Sequence, residues 1–237
     1  MRLAVIPARG GSKRIPRKNV RDFCGSPIIA YSIKACIESD LFDEIVVSTD
    51  SEEIAAVAKE YGATVPFMRP ENLADDFTGT NSVVKHAIEW FAQKPGSIDH
   101  VCCVYATAPF IQAKYLIEGY EKLIGSGSTF AFSVTSFPFP VQRAIRIKAG
   151  TVEAMYPEYI YRRSQDIEEA FHDAGQFYWG TVDGFIDDMD LFSSISVPIR
   201  LPRQLVQDID TVEDWQRAEL MYKARELANQ ESSESLD

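Results

Sequence analysis

Between Ile6 and Arg21 the chain reads IPARGGSKRIPRKNVR, and six of these residues are cations: Arg9, Lys13, Arg14, Arg17, Lys18 and Arg21. The whole chain carries 24 Lys and Arg against 35 Asp and Glu, yet no acid precedes Asp22. A dense cationic loop on a protein of formal charge −11 is a local electrostatic well for an anion. Gly10 and Gly11 allow close backbone approach and predict N–H groups turned toward that anion. The expected ligand is a polyphosphate. A solvated basic turn is the plainer alternative, but the place of the loop directly after an apolar run favours a ligand loop. Neither G-x-x-x-x-G-K-[ST] nor G-x-G-x-x-G is present, so a P-loop ATPase and a dinucleotide-binding oxidoreductase lack support.

Asp208 and Asp210 form a second constellation. Two residues apart on extended backbone, their carboxylates share a face. Two hard oxygen ligands suit Mg²⁺, which commonly takes one or two carboxylates and completes its shell with substrate phosphates and water. Asp210 also has a structural reading, as a helix N-cap with Glu213 three residues on. Arg162, Arg163 and Gln165 form a third group, in which paired guanidiniums could clasp a carboxylate. Their plainer role is to neutralise Asp166, Glu168 and Glu169. His86 and His100 read as bland. His172, beside Asp173 and the aromatic run Phe171, Phe177, Tyr178, Trp179, draws more interest, although such runs are more often core or subunit interface. No Ser-His-Asp or Cys-His nucleophile is suggested.

The elements that must position these residues alternate along the chain. Arg2–Ala8, Glu44–Ser48, Val65–Met68, His100–Tyr105 and Thr129–Thr135 read as buried strands. Between them, helices are predicted from Ser26 (as N-cap, with Pro27 at the first position), from Ser51 to Tyr61, from Asn81 to Phe91, and from Lys114 to a stop at Gly125. This order predicts an α/β fold, a mostly parallel sheet with helices on both faces and ligands at the strands' carboxyl ends. The basic loop, Asp50, Arg69 and Thr107 all fall at such ends. At Phe137–Pro140 the pattern breaks. A hairpin turning at Ala149-Gly150 follows, and about 137–195 reads as an inserted lobe in a single domain of 1–229. Val197–Leu201 is a further strand, a long helix runs from Thr211 to about Leu227, and 230–237 reads as a disordered tail.

The acidic balance argues against broad binding to nucleic acid or anionic membranes. Cys24, Cys36, Cys102 and Cys103 show no zinc spacing and fit reduced thiols in the cytoplasm. No signal peptide or transmembrane stretch is read.

Taken together, IPARGGSKRIPRKN, EIVVSTD, RPENLADD, ATAPFI and DIDT resemble, in order and separation, the cytidylyltransferases that activate nonulosonic acids. The resemblance spans about residues 1–225. HDAGQFYWG stands where the sialic acid enzymes carry an Asn-Gly-Ala-Ile-Tyr type motif, and Tyr105 stands where they carry Gln. RRSQDIEEAFHDAGQFYWG is similar to the branch acting on pseudaminic acid. The resemblance implies a Rossmann-like nucleotidyltransferase fold, CTP and a nonulosonic acid as substrates, Mg²⁺, and a homodimer whose inserted lobes reach toward the neighbour's site. It implies a nucleotide site of Arg9, Gly10, Gly11, Ser12, Lys13, Lys18, Asn19, Arg69, Thr78 and Thr80, and metal ligands Asp208 and Asp210. Lys13, Lys18, Asp208 and Asp210 would carry the chemistry. Tyr105, Arg162, Arg163, Gln165, Gln176 and Tyr178 would line the sugar site. Alternative acceptors are N-acetylneuraminic, legionaminic and 3-deoxy-octulosonic acids, and a non-catalytic nucleotide sensor is the alternative of another class.

Overall fold

The computed structural model describes residues 1–234. In chain order the elements are β1 (Arg2–Pro7), β2 (Asp22–Phe23), β3 (Ser26–Pro27), α1 (Ile28–Glu38), β4 (Glu44–Ser48), α2 (Glu52–Glu60), α3 (Thr80–Ala92), β5 (His100–Val104), α4 (Ala113–Ser126), β6 (Phe130–Ser136), β7 (Ile145–Lys148), β8 (Thr151–Ala154), β9 (Phe171–Thr181), α5 (Val182–Ile186), β10 (Ser196–Arg200) and α6 (Val212–Glu234). Six strands build the main sheet in the order β10-β6-β9-β5-β1-β4. β1 pairs in parallel with β4 and β5, and β10 with β6; β9 runs antiparallel to both its neighbours. The expected mostly parallel α/β sheet is therefore present, with one reversed strand inside it.

Side-chain alternation distributes the strands between two cores. Ala4 and Ile6 face α1, α2 and α4, packing with Ile29, Ile33, Ile54 and Leu116. Leu3 and Val5 face α3 and α5, packing with Val84, Ile88, Phe91 and Phe185. The period of two along β1 thus places helices on both faces. Cys102 and Cys103 fall into opposite cores, and all four cysteines are unpaired. Among the described residues no helix is long and apolar enough to cross a membrane.

Several expectations are corrected. Ser26 and Pro27 do not open a helix: they pair with Asp22 and Phe23 across a tight turn in which Cys24 and Gly25 both have positive φ, and α1 starts after Pro27. Val65–Met68 is not a strand but an extended segment held by two isolated parallel bridges, Val46 to Thr64 and Thr49 to Met68. α4 passes through Gly125 and ends at Gly127, the glycine whose φ of +64° supplies the left-handed cap. The reversed strand β9 lies in the sheet, so the lobe that leaves the main body is shorter than 137–195 and ends before Phe171. Its β7–β8 hairpin turns at Ala149-Gly150 as read. Residues 230–234, expected in a disordered tail, continue α6; 235–237 lie outside the described residues.

β9 packs tightly where it crosses the sheet. A Cβ added at Gly180 would stand 2.6 Å from a ring carbon of Phe130 and 2.7 Å from one of Phe185. Gly180→Ala is expected to destabilise the fold by about 1–3 kcal/mol through overpacking, read as a lower midpoint in chemical denaturation.

Candidate active site

β1 hands the chain to the basic loop at its carboxyl end, and the loop is fixed by apolar pins rather than by its charges. Ile15, at 1 % exposure, packs with Phe23, Ile28, Phe110, Leu205, Ile209 and Trp215. Asp208-Ile209-Asp210 alternates, so burying Ile209 in that cluster turns the flanking carboxylates away from it. One small core therefore anchors both the amino-terminal cations and the carboxyl-terminal acids. Direct contacts follow. Arg14 Nη2 lies 3.0 Å from Asp210 Oδ1 and Lys18 Nζ 3.7 Å from it, while Lys18 Nζ donates to the Ile209 carbonyl at 2.6 Å. Burial pulls the Lys18 ammonium below its ordinary value, opposed by Asp210 and Asp208. Burial, then the charge of Asp210, pushes the Asp208 carboxyl up.

The capping role considered for Asp210 is taken by others. Thr211 Oγ1 and Asp214 exchange hydrogen bonds: Asp214 N–H donates to Thr211 Oγ1 at 3.2 Å, and Thr211 N–H donates to Asp214 Oδ2 at 2.8 Å. Glu213 has no part in this; Asp210 adds only its backbone N–H, which donates to Asp214 Oδ2 at 3.2 Å, and its carboxylate takes no part in the cap.

The resulting cavity, of about 300 Å³, lies at the carboxyl ends of β1 and β5 and is lined by Arg9, Ser12, Lys13, Lys18, Asn19, Arg69, Thr78, Thr80 and Tyr105 among the expected residues. Arg14, Ile15, Thr107 and Asp210 also line it. Five of the lining residues are cations and one is an acid. Arg14 was legible as a cation of the loop but carried no assignment. Asn19, 6 % exposed, donates to the Arg9 carbonyl at 2.9 Å and closes the loop on itself. Arg69 reaches in from beneath: its Nε donates to Ser48 Oγ at 3.1 Å and its Nη2 to the Ser48 carbonyl. Burial pulls this guanidinium down to about 10, against the opposing charge of Asp50. Asp76 pairs with both Arg9 and Lys13, and Asp75 accepts from Thr78 Oγ1 at 2.7 Å, holding the 75–78 turn over the same cations.

Some expected site residues serve elsewhere. Gly10 N–H donates to Asp50 Oδ1 at 2.7 Å, and Ser12 N–H donates to the Gly10 carbonyl, so these amides are committed inside the protein. Gly10 and Gly11 do not line the cavity. Arg17 pairs with Glu53 of α2, and Arg21 stacks 4.9 Å over Trp215. Gln176 is buried, its Nε2 donating to the Leu205 carbonyl, and lines neither cavity. Arg162, Arg163 and Gln165 are exposed on the lobe and do not line the cavity; Arg163 pairs with Asp166, and Arg162 lies over Tyr159. The plainer reading of these arginines holds within one chain. Asp208 stands beside the cavity rather than in its wall.

A side cavity of about 170 Å³ shares Thr80 and Tyr105 with the first and extends between α3, β9 and α5, past Val84, Phe130, Tyr178, Phe185, Asp188, Met189 and Leu191. Sequence reasoning missed the contribution of residues 185–191, because nothing local ties that segment to β5. Asn81 is its signal: its Nδ2 donates to the Phe185 carbonyl at 3.1 Å and to Asp188, docking the segment onto α3.

For metal, Asp208 and Asp210 are the available pair. Among the described residues no group of three or more His, Cys, Asp or Glu converges. A divalent ion here would take its remaining ligands from phosphate oxygens and water, the habit of Mg²⁺.

A cavity at strand ends whose lining carries five cations and one carboxylate suits a polyphosphate, and comparison with known proteins points to a nucleotide-using family. The cytidylyltransferase family model matches residues 3–152. The pseudaminic acid cytidylyltransferase of Campylobacter jejuni is 47 % identical over 222 residues, 93 % of this chain and 96 % of the relative. The chain belongs to the cytidylyltransferase family. This cytidylyltransferase is also 36 % identical over 235 residues to the CMP-N,N′-diacetyllegionaminic acid synthase of Legionella pneumophila, covering 95 % of this chain and 98 % of that one. Its fold matches the solved CMP:2-keto-3-deoxy-manno-octonic acid synthetase complexed with CTP, with a TM-score of 0.67, 14 % identity and coverage of 94 % and 99 % of the two chains. At that identity the match speaks for the fold alone. The cytidylyltransferase is thus a nucleotidyltransferase built on the expected sheet.

Proposed function

We propose that the protein transfers CMP from CTP to the anomeric hydroxyl of pseudaminic acid, releasing pyrophosphate. The observation that carries this reading is the meeting of Arg14 and Lys18 with Asp210 at the edge of a cavity whose other charged lining residues are all cations. The hydroxyl oxygen attacks the α-phosphorus and gives up its proton to solvent as the bond to pyrophosphate breaks in line. Such transfer asks the protein for positioning and charge stabilisation rather than a covalent nucleophile. Arg9, Ser12, Lys13 and Lys18 would hold the triphosphate, Lys13 and Lys18 neutralising the departing pyrophosphate. Arg69, Thr78 and Thr80 would hold the nucleoside end, and Tyr105 and Tyr178 the sugar. Asp208 and Asp210 would hold Mg²⁺, which when bound supplies positive charge to the phosphate oxygens. The 47 % identity to a pseudaminic acid enzyme supports the acceptor. Unpaired cysteines suit the cytoplasm.

The test is pyrophosphate release from CTP with pseudaminic acid beside N-acetylneuraminic acid. Higher kcat/KM with the former is expected; a preference for the latter overturns the acceptor assignment, and no turnover with either overturns the reaction.

We also read the lobe as a dimer surface. One face of the β7–β8 hairpin is apolar and open: Ile145 pairs with Ala154 and Ile147 with Val152, and Ile147 and Val152 are 78 % and 66 % exposed. An exposed apolar patch of this kind marks an interaction site. Ile147→Asp with Val152→Asp is expected to convert a dimer to monomer in light scattering. An unchanged mass would remove the hairpin from the interface.

A further inference from the structure

Each of the five cations lining the main cavity has a partner from the chain itself. Arg14 and Lys18 face Asp210, and Arg69 is held by Ser48. Arg9 and Lys13 both meet Asp76: Arg9 Nη1 donates to its Oδ1 at 2.5 Å, and Lys13 Nζ donates to its Oδ2. Hydrogen bonds from Lys13 and then Arg9 hold the Asp76 carboxyl below its ordinary value, so it stays an anion. Asp76 does not line the cavity, yet it occupies two of the cations that do. It belongs to the segment between Arg69 and α3, remote in sequence from the basic loop.

The turn that carries Asp76 is braced from within. Asp75 Oδ1 accepts from Phe77 N–H at 2.9 Å, from Thr78 N–H at 2.6 Å and from Thr78 Oγ1 at 2.7 Å. Thr78 Oγ1 also reaches the Asn72 carbonyl at 3.4 Å. Among the described residues, every hydrogen bond from 75–78 to a distant part of the chain comes from Arg9 or Lys13. Phe77, next to Asp76, is 94 % exposed, so it does not clamp the turn by packing. Asp76 is thus a carboxylate on a self-contained turn that hangs from two cations.

The cations do not depend on Asp76 in return. The burial of Ile15 and the hydrogen bond from Asn19 to the Arg9 carbonyl fix the basic loop. Removing the carboxylate therefore frees Arg9 and Lys13 without misplacing them. A phosphate on these two cations would bring its oxygens close to the Asp76 carboxylate, and like charges at contact distance repel. The two anions exclude each other.

We propose that Asp76 is a tethered competitor of the polyphosphate: its carboxylate holds Arg9 and Lys13 until the terminal phosphates of CTP displace it, and takes them back as pyrophosphate leaves. The inference rests on the reading of these two cations as a phosphate site. It deepens that reading by adding a residue that weakens the hold on substrate and product alike.

Titration calorimetry with inorganic pyrophosphate, CTP and cytidine, at one fixed magnesium and salt concentration, tests it. Asp76→Asn should bind pyrophosphate and CTP about three- to tenfold more tightly, the scale of two solvated ion pairs. Cytidine, which has no phosphate, should bind within twofold of wild type. Asp76→Glu keeps the charge and should stay nearer to wild type than to Asp76→Asn. In a Lys13→Met background the gain from Asp76→Asn should shrink, because one of its two routes is gone. In turnover, pyrophosphate should inhibit Asp76→Asn at a correspondingly lower concentration. A carboxylate that merely propped the site open would give the opposite sign, weaker binding on its removal. Wild-type binding of pyrophosphate with equal or weaker binding by Asp76→Asn, an equal gain for cytidine, or a gain untouched by Lys13→Met would overturn this inference and leave the CMP-transfer reading standing. No binding of CTP or pyrophosphate by the wild-type chain would overturn the phosphate site and this inference with it. If Asp76→Asn does not fold, Asp76→Ser carries the test: tighter pyrophosphate binding is expected, and an unchanged value overturns the proposal.

Discussion

Asp210→Ala should lower the rate of CMP transfer by about a thousandfold, roughly 4 kcal/mol of lost transition-state stabilisation, and leave the protein folded. Asp210 lines the cavity, contacts Arg14 and Lys18, and has no capping duty, since Thr211 and Asp214 close the start of α6. Its loss therefore strips the site of an anion that both orients two cations and would hold the metal. The stability cost should be small, because the side chain is 42 % exposed and solvated ion pairs contribute about 0–1 kcal/mol. The measurement is pyrophosphate release over a magnesium titration, alongside a thermal melt. Activity within tenfold of wild type would remove Asp210 from the reaction. An equal loss accompanied by collapse of the melt would make its role structural.

The second large effect is expected at Lys18. Lys18→Met keeps most of the aliphatic stem and removes the ammonium. The side chain is only 20 % exposed and its ammonium is gripped by the Ile209 carbonyl and Asp210, so its position is set before any ligand arrives. A preorganised charge aimed at developing negative charge contributes about 10²–10³ in kcat. That loss is expected in kcat, with a smaller rise in the KM for CTP. The neighbouring Lys13, 78 % exposed and paired with Asp76, should lose less on the same substitution. Equal kinetics for Lys18→Met and wild type would place the ammonium in the structural link between chain ends, outside the chemistry.

How much of this was legible in the sequence depends on whether the deciding interaction is local. β1, β4, β5 and β6 were readable because buried parallel strands are short continuous apolar runs. The basic loop was readable because charge density against an acidic background needs no partner to be seen. The placement of β9 was not. Its pairing depends on β5 and β6, some 35 to 80 residues back in the chain, and Phe137–Pro140 broke the pattern before it. The burial of Gln176 was not legible for the same reason: a polar residue on a strand looks available until the strand is known to be interior. Asp210 was singled out from its spacing and does line the cavity, while the cap read for it lies one residue on, between Thr211 and Asp214, a typical uncertainty at helix ends. Arg162 and Arg163 were read two ways, and the plainer one describes their contacts within this chain.

The reversed strand has a consequence for how the chain is made. β5 and β6 are complete by residue 136, but the ribbon that must lie between them is not available until residue 181 has left the ribosome. Until then β5 is bare on one side and β6 has neither of its strand partners, β9 and β10, and each unpaired flank is an invitation to pair with another chain. Folding of the main body is therefore gated by synthesis of its third quarter. A truncated product ending near residue 152, though it holds the whole segment matched by the family model, should be prone to aggregation rather than a smaller working enzyme.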